Sequence, residues 1–534
     1  MSLDNTEKIG RGTWLDKVAD DIIKRENKLS RNLDLIRVES GLGASGIPHV
    51  GNASDAIRAH GIRLAIEDIG YKSELITYSD DLDGLRKVPD GLPEELQKDL
   101  GMPVSRITDP FGCHNSFGHH MSSILHEALD EVNVKYTHIS GAESYRNGIL
   151  NDNIKIILEN SELIGKKISD MLGQDKFEKV LPYYPICDNC GKLYTALATE
   201  YLSSEEKILY TCKDTNVGTN ILTGCDHTGE LKISSGNGKL SWKSEFAARW
   251  SALDIRYEAY GKDIIDSVNV NDWISDEILN FPHPYHVKYE LFLDKTGKKI
   301  SKSLGNVFTP QTWLQYGTQQ SLFLLMFKRI AGARSISASD IPVYMDDYDN
   351  LEDVYFGRAK TSNLASERKL KGLYEYVNNL KPPSQNINHV PYRLLAQLSS
   401  ISPSENRLDY VLKKLKSYRL IEESNQTLES KIDLAFNWSN DLSSSDSINV
   451  EISDEYKTPL LWLKQNLTSE KSPDEVQNII FETSRKFNVK PRDFFKILYV
   501  ILLNTERGPK LGPYIVDLGI DRVKTMINDH LNKE

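Results

Sequence analysis

Apolar positions along the chain recur with two different periods, and the change of period marks its organisation. Trp14, Val18 and Ile22 fall at helical spacing and predict an amphipathic first helix. Leu33-Asp-Leu-Ile-Arg-Val-Glu39 has the β-rich character of a core strand. From Ser54 to Ile69 the stripe is helical again, carried by Ile57, Leu64, Ala65 and Ile69, and Gly70 closes it. Phe111 to Gly118 reads as a loop entering a helix from His119 to Leu129, and Gln311 to Ile330 as one helical stretch. Beyond about residue 345 strand signals fade. Helices are predicted over Leu408–Ile421, Thr427–Trp438, Tyr456–Asn466, Pro473–Lys486 and Pro491–Asn504. Pro382-Pro-Ser384 and the Ser-rich stretch from Leu442 to Ser447 separate them as loops.

The turn between the first strand and its helix is Ala44-Ser-Gly-Ile-Pro-His-Val-Gly-Asn52. A strand, a glycine-bearing loop and a helix N-terminus present backbone N–H groups and a dipole to an anion. His49 adds a hydrogen-bonding ring, and Gly46 and Gly51 leave room where a Cβ would obstruct a nucleotide. Far downstream stands Lys299-Ile-Ser-Lys-Ser303, followed by Leu304-Gly-Asn306. Alone, each segment reads equally well as an ordinary turn or a solvated polar loop. As an ordered pair they resemble the HIGH and KMSKS signatures of class I aminoacyl-tRNA synthetases. The resemblance implies a Rossmann-like α/β catalytic core that activates an amino acid with ATP and Mg2+.

That reaction explains the residue types. The amino-acid carboxylate attacks the α-phosphorus of ATP and pyrophosphate leaves, so positioning and charge stabilisation dominate. Lys302 brings an ammonium to the leaving phosphates, and Lys299, Ser301 and Ser303 flank it. His49 holds the nucleotide from the other side, above Gly46 and Gly51. Asn52 stands where the family motif often has a second histidine, and its amide still donates to a phosphate or ribose oxygen.

Further segments narrow the resemblance. His49-Val-Gly-Asn52, Ser79-Asp-Asp-Leu-Asp-Gly-Leu-Arg-Lys-Val-Pro89, the stretch Trp242 to Trp250, Gly261-Lys-Asp263, Tyr289-Glu290 and Arg507-Gly-Pro-Lys-Leu-Gly512 occur in order. Together they resemble class I lysyl-tRNA synthetases. The implied substrates are ATP, L-lysine and tRNA(Lys). The implied architecture is a core from two halves, 1–100 and 241–345, split by an insertion over 101–240 that meets the tRNA acceptor end. An all-α anticodon-binding domain over 346–534 follows. One departure is Ile264, where the family's Gly-Lys-Asp motif is often followed by His.

A lysine side chain calls for a carboxylate at its end and aromatic walls along its stem. Asp55 and Glu290 supply candidate carboxylates, Trp242 and Tyr289 candidate walls. A glutamate pocket would need a dedicated arginine, and Arg37, Arg58 and Arg63 leave that reading open, as a glutamyl- or glutaminyl-type enzyme. A tRNA-free adenylating nucleotidyltransferase on the same core is the other alternative.

Four of the five cysteines cluster in the segment 183–230, as Cys187-x-x-Cys190, then Cys212, then Cys225 with His227 close behind. A knuckle followed by two further ligands is the layout of a structural zinc site, with either Cys225 or His227 as the fourth ligand. An eroded knuckle and a redox dithiol compete with zinc. Cys113 with His114, His119 and His120 reads as an acceptor-end loop rather than a metal centre.

Composition changes this picture little. The chain has 534 residues, enough for several domains, with 39% hydrophobic and 26% charged residues. Acidic residues crowd the N-terminus, so neither a secretory signal nor a transit peptide fits. The longest apolar run, Ile497 to Leu503, is too short to cross a bilayer, so no membrane association is expected. Few cysteines, mostly clustered, point to a reducing cytoplasm. A net charge of −11 sits awkwardly with a polyanionic partner. Local basic clusters, Lys413 to Arg419 and Arg485 to Arg492, resolve the tension, because phosphate contacts act at short range.

Overall fold

The computed structural model describes residues 10–89, 91–217, 220–290, 292–294, 308–330, 332, 334–442, 453–503, 505–506 and 508–531. Lys299, Ser301, Lys302 and Ser303 lie outside the described residues, as do most of the Ser-rich stretch and Arg507. The chain divides into two compact units. One comprises Met1–Gln311, Phe323–Ile336 and Thr361–Pro382; the other comprises Thr312–Leu322, Ser337–Lys360 and Pro383–Glu534.

The first unit is built on a parallel five-stranded sheet. Its strands are β1 (Ile36–Leu42), β2 (Ser73–Ser79), β3 (Thr137–Ser140), β4 (Ile255–Gly261) and β5 (Tyr285–Tyr289), in the order β5-β4-β1-β2-β3. β1 pairs with β2 from Ile36 opposite Ser73 to Leu42 opposite Ser79. On its other side β1 meets β4, with Val38 opposite Tyr257. Ile36, Val38 and Leu42 are buried, as a strand inside a sheet flanked by helices requires. The chain runs outward from β1 through β2 to β3 on one side, and from β4 to β5 on the other. The β1–β4 boundary is therefore the switch point at which α/β sheets bind ligands, beyond the carboxyl ends of the strands.

Helix α1 (Trp14–Lys28) begins at a capping box in which the Thr13 N–H donates to Asp16 Oδ2 at 2.8 Å. Leu15, Val18, Ala19 and Ile22 form its buried face, and the Trp14 indole N–H donates to the Phe327 carbonyl at 2.8 Å. Helix α2 (Val50–Asp68) links β1 to β2, and Gly61 lets it approach Phe327, whose Cε1 lies 2.8 Å from where a Cβ would stand.

β3 corrects the expectation that 101–240 is wholly an insertion. It follows helix α3 (Phe117–Glu131) and closes the sheet's edge, with Ile76 opposite Thr137. Four residues on a half-exposed edge carry too little apolar pattern to be seen in sequence. Within 183–230 the chain forms a small antiparallel sheet of Ala196–Leu202, Lys207–Cys212 and Thr228–Lys232.

In the second unit no strand occurs among the described residues. Ile341–Tyr355, Tyr392–Ser400, Arg407–Ser417, Gln426–Leu442, Asp454–Asn466, Pro473–Lys486, Pro491–Leu503, Leu511–Leu518 and Ile520–Leu531 are helices. Pro473–Lys486 starts at a Ser472/Glu475 capping box. The single stretch expected over 311–330 is two helices, Pro310–Leu314 and Gln319–Phe327. They break at Gly317, where a Cβ would fall 2.8 Å from Trp313 Nε1. Among the described residues no helix is long and apolar enough to cross a membrane.

Candidate active site

The switch point is shaped by the loop that leaves β1. His49 is the N-cap of α2: its Nδ1 accepts the Gly51 N–H at 3.0 Å, and Asn52 Oδ1 accepts the His49 N–H at 3.1 Å. With Nδ1 accepting, the neutral ring carries its proton on Nε2. The remaining first-turn donors are also engaged. Val50 N–H meets the Phe308 carbonyl at 2.7 Å, and Asn52 N–H the His49 carbonyl at 2.9 Å. The expectation of a bare helix N-terminus cradling an anion is thus corrected, because side chains and a neighbouring carbonyl already occupy these N–H groups. Gly51 has a cause other than close nucleotide approach: a Cβ there would lie 2.7 Å from His49 Cε1. Gly46 is buried and does not line the cavity described next.

That cavity, of about 270 Å³, opens beyond β1 and β4. It gathers His49, Gly51, Asn52, Asp55, Trp242, Tyr289 and Glu290, drawn from segments far apart in sequence. Ile264 lines it too, an apolar wall where the resemblance suggested a histidine. Burial pushes the Asp55 carboxyl up to about 7, while a hydrogen bond from Tyr289 and the charge of Arg58 pull it part of the way back. Its Oδ1 is buried and has no hydrogen-bond partner among the described residues. Glu290 pairs with Lys262 at 2.5 Å.

Sequence reasoning missed Asp80, Arg249 and Glu258, which also line the cavity. Arg249, on helix α4 (Trp242–Leu253), is 1% exposed and reaches Glu39 at 2.5 Å, Glu258 at 3.1 Å and Asp80 at 3.4 Å. Its guanidinium also lies 4.5 Å from the centre of the Tyr78 ring. Burial raises the Asp80 and Glu39 carboxyls, and Arg249 opposes that rise in both. Nearby, Lys239 is buried between Asp83 and Glu245. A signal was present: Glu245 and Arg249 flank the apolar Phe246, Ala247 and Ala248 and precede Trp250, a setting where a buried charge survives only when paired.

None of the three arginines considered for a glutamate pocket lines the cavity. Arg37 pairs with Glu74 at 3.0 Å and Arg63 with Glu67 at 2.5 Å. Arg58 is buried, with its guanidinium 5.0 Å from the centre of the Tyr289 ring and 5.7 Å from that of Phe292. The lining contains five carboxylates, of Asp55, Asp80, Glu258, Asp263 and Glu290, against one guanidinium. Such a surface favours a cationic guest.

The cysteine segment converges. Cys187 Sγ lies 3.6 Å from Cys225 Sγ, Cys190 Sγ lies 3.7 Å from Cys212 Sγ, and all four sulfurs fall within 4.8 Å of one another. Ligands about 2.3 Å from a tetrahedral zinc are about 3.8 Å apart, so the spacing fits that ion. His227 is corrected: its ring is not part of the cluster and stands 6.1 Å from that of Tyr210, while its carbonyl accepts the Cys212 N–H. Its distance from Cys225 in sequence could not reveal which way the strand Thr228–Lys232 would turn it. A second convergence departs from the reading of the Cys113 loop as no metal centre, and it brings in Asp109, which that reading did not include. Asp109, Cys113, His114 and His120 bring their donor atoms within 4.8 Å of one another, where α3 begins. Asp109 Oδ2 also accepts the Cys113 and His114 N–H groups, each at 2.9 Å. His119 remains outside this set.

Residues 12–379 match the family model described as tRNA synthetases class I (K). The chain is 49% identical to a lysine–tRNA ligase of Cenarchaeum symbiosum over 525 residues, covering 98% of this chain and all of that one. It is 30% identical to a lysine–tRNA ligase of Methanocaldococcus jannaschii over 536 residues, covering 96% and 98%. A methionyl-tRNA synthetase structure from Mycobacterium tuberculosis aligns over 88% of this chain and 92% of that one, at a TM-score of 0.37 and 11% identity. With its signature loop at a sheet switch point and a family match over more than half its length, the chain belongs to the class I lysyl-tRNA synthetases.

Proposed function

We infer that this chain is a lysine–tRNA ligase that joins L-lysine to ATP as lysyl-adenylate, releasing pyrophosphate, and then passes lysine to tRNA(Lys). Class I synthetases use ATP with Mg2+, and the cavity beyond β1 and β4 is the proposed site of activation. The observation that carries the choice of lysine is Asp55: a buried carboxylate oxygen without a partner, in a wall of acids and aromatics. A substrate ammonium would satisfy Asp55 while Tyr289 and Trp242 enclose its stem. A glutamate side chain would instead meet five carboxylates and an arginine already shared by Glu39, Asp80 and Glu258. His49 presents an Nε2 proton to the nucleotide, with Asn52 as a second donor. Lys299, Ser301, Lys302 and Ser303 would serve the leaving phosphates.

Lysine-dependent ATP–pyrophosphate exchange tests this reading. Exchange should depend on lysine, and Lys302→Ala should slow it by about 10²–10³-fold. Glutamate-dependent exchange requiring tRNA would point to a glutamyl-type enzyme. Adenylate formation without charging of any tRNA would point to the nucleotidyltransferase alternative.

Cys187, Cys190, Cys212 and Cys225 would hold a structural zinc, cross-linking the small sheet of the insertion. The Asp109 set offers the mixed N, O and S donors of a second tetrahedral site. For tRNA, basic side chains in the helical unit lie where aromatics support them. Lys486 stands 4.6 Å from the centre of the Trp462 ring. A steep fall of tRNA affinity with salt is expected.

A further inference from the structure

One wall of the activation cavity is assembled from three neighbouring elements. β4 contributes Glu258 and Gly261, and β5 ends in Tyr289 and Glu290. Between them, Asp263 and Ile264 stand just before helix α5 (Ile265–Trp273). β5 lies at the edge of the sheet, half-buried and paired with β4. Ladder bonds on one side hold a short edge strand weakly, so its place depends on what else fastens it.

His286 is that fastening. It sits on β5 opposite Glu258, with Nδ1 2.8 Å from the Glu258 backbone carbonyl and Nε2 3.0 Å from Asp272 Oδ1 near the end of α5. A single ring thus joins both strands and the helix. Its side chain is 11% exposed, and its centre lies 5.1 Å from that of Trp250 and 5.4 Å from that of Tyr260, which meets it edge-on. A carbonyl and a carboxylate both accept, whereas a neutral imidazole donates from one nitrogen and presents a lone pair at the other. Both bonds are therefore filled only when each ring nitrogen carries a proton.

The other charged neighbours are engaged elsewhere. The Glu258 carboxylate is turned to Arg249 and to the Trp250 indole N–H. His283 stacks on His286 with ring centres 5.8 Å apart and pairs with Asp276 at 2.8 Å, in the π-helical turn Ile274–Ile278 that continues α5. Tyr260 is the titratable neighbour on β4, and Lys288, next on the same face of β5, is exposed.

We propose that His286 is a positioning residue for lysine, a clasp that closes when its ring is doubly protonated and fixes the wall formed by β4, α5 and β5. The inference rests on the activity proposed above and adds what sets the geometry of its lysine wall. Loss of one proton surrenders one bond, and Tyr289 and Glu290 are then free to shift against Asp263 and Ile264. This raises the KM for lysine with pH, opposite in sign to the effect of Asp55 ionisation.

Asp272→Asn tests the clasp, because an amide donates where a carboxylate does not. Its Nδ2 would satisfy Nε2 of a neutral ring that donates from Nδ1 to the Glu258 carbonyl. The variant's clasp closes on deprotonation, the reverse of the parent's. The KM for lysine is measured by ATP–pyrophosphate exchange, with tRNA present, in the parent, Asp272→Asn and His286→Gln. Asp55 is common to all three and cancels from ratios of variant to parent. For Asp272→Asn the ratio should fall from about five at about pH 6 to below one at about pH 8, across the span in which histidines change charge and with one net hydrogen bond at stake. For His286→Gln it should fall toward one without crossing it. In both, kcat should stay within about twofold of the parent. Nitrogen NMR shifts of the His286 ring, assigned by their loss in His286→Gln, should show both nitrogens protonated in the parent at about pH 6. In Asp272→Asn, Nε2 should lose its proton at lower pH than in the parent. A ratio independent of pH overturns the proposal. So does a parent ring with one proton throughout that span, a result that needs no variant to fold. Failure of the parent to exchange pyrophosphate with lysine would instead overturn the activity on which it rests.

Discussion

Replacing Gly51 with alanine separates the shape of the site from the stability of the helix that carries it. A Cβ at residue 51 would stand 2.7 Å from Cε1 and 2.8 Å from Nδ1 of His49, whereas ordinary contact begins at 3.4 Å. The ring must therefore yield by 0.7 Å (3.4 − 2.7), and in moving it strains or breaks the Gly51 N–H···Nδ1 bond of 3.0 Å. Loss of the cap costs about 1 kcal/mol. Alanine in place of glycine in the first turn returns up to about 1 kcal/mol through helix propensity. The two offset, so the melting temperature should hardly move. The rate should move a great deal, because a displacement approaching 1 Å in a positioning group costs about 10²-fold. Lysine-dependent ATP–pyrophosphate exchange at saturating lysine, with thermal unfolding of the same preparation, measures both quantities. Asn52→Ala removes the Oδ1 half of the capping box without pushing the ring, and serves as the comparison for melting temperature alone, because Asn52 is also the second donor to the nucleotide. Exchange by Gly51→Ala close to that of the parent would refute the placement of His49 at the nucleotide, whatever the melting temperature does.

Three further outcomes are expected. His60 is buried on α2 with Asn379 Oδ1 2.8 Å from its Nε2, and burial pushes the imidazole down to about 4. A folded pKa below the unfolded 6.5 gives stability that is complete above 6.5 and lost as pH falls toward 4, about 2 kcal/mol of it by pH 5. Urea unfolding of the parent and His60→Gln across that window should show the variant losing most of the acid slope; equal slopes would count against it. Because Asp55 titrates near 7, the KM for lysine should fall as pH rises through neutrality. Asp55→Asn should abolish that trend, and a trend surviving the substitution would remove Asp55 from the ammonium site. Cys190→Ser should lower the zinc content of the purified protein by about one equivalent and expose 183–230 to proteolysis, while His227→Ala should leave both unchanged. Equal metal loss in the two variants would restore His227 as a ligand.

Local and periodic features were legible in the chain by itself. The helical C-terminal stretch announced its period, and Pro473–Lys486 even its ends, because a proline and a capping Ser472 mark the start. The loop from Ala44 to Asn52 declared a strand-to-helix turn, and the order of short motifs declared the family. These follow from interactions a few residues long, which sequence spacing encodes directly. What only the tertiary structure decided are matters of convergence. The edge strand Thr137–Ser140 has too little apolar content to stand out, yet backbone pairing with β2 places it in the sheet. Asp80, Arg249 and Glu258 come from three separate elements, and only packing turns three unremarkable charges into one buried network at the cavity wall. The same holds for the choice between Cys225 and His227, and for Asp109 joining Cys113, His114 and His120. His49 itself was read as a nucleotide ligand and is also the cap of its helix, because a ring nitrogen two residues before Gly51 reaches that N–H once the backbone turns. Sequence names the residues and their local habits, but distance between elements is set by the fold, and the chemistry of a site depends on that distance.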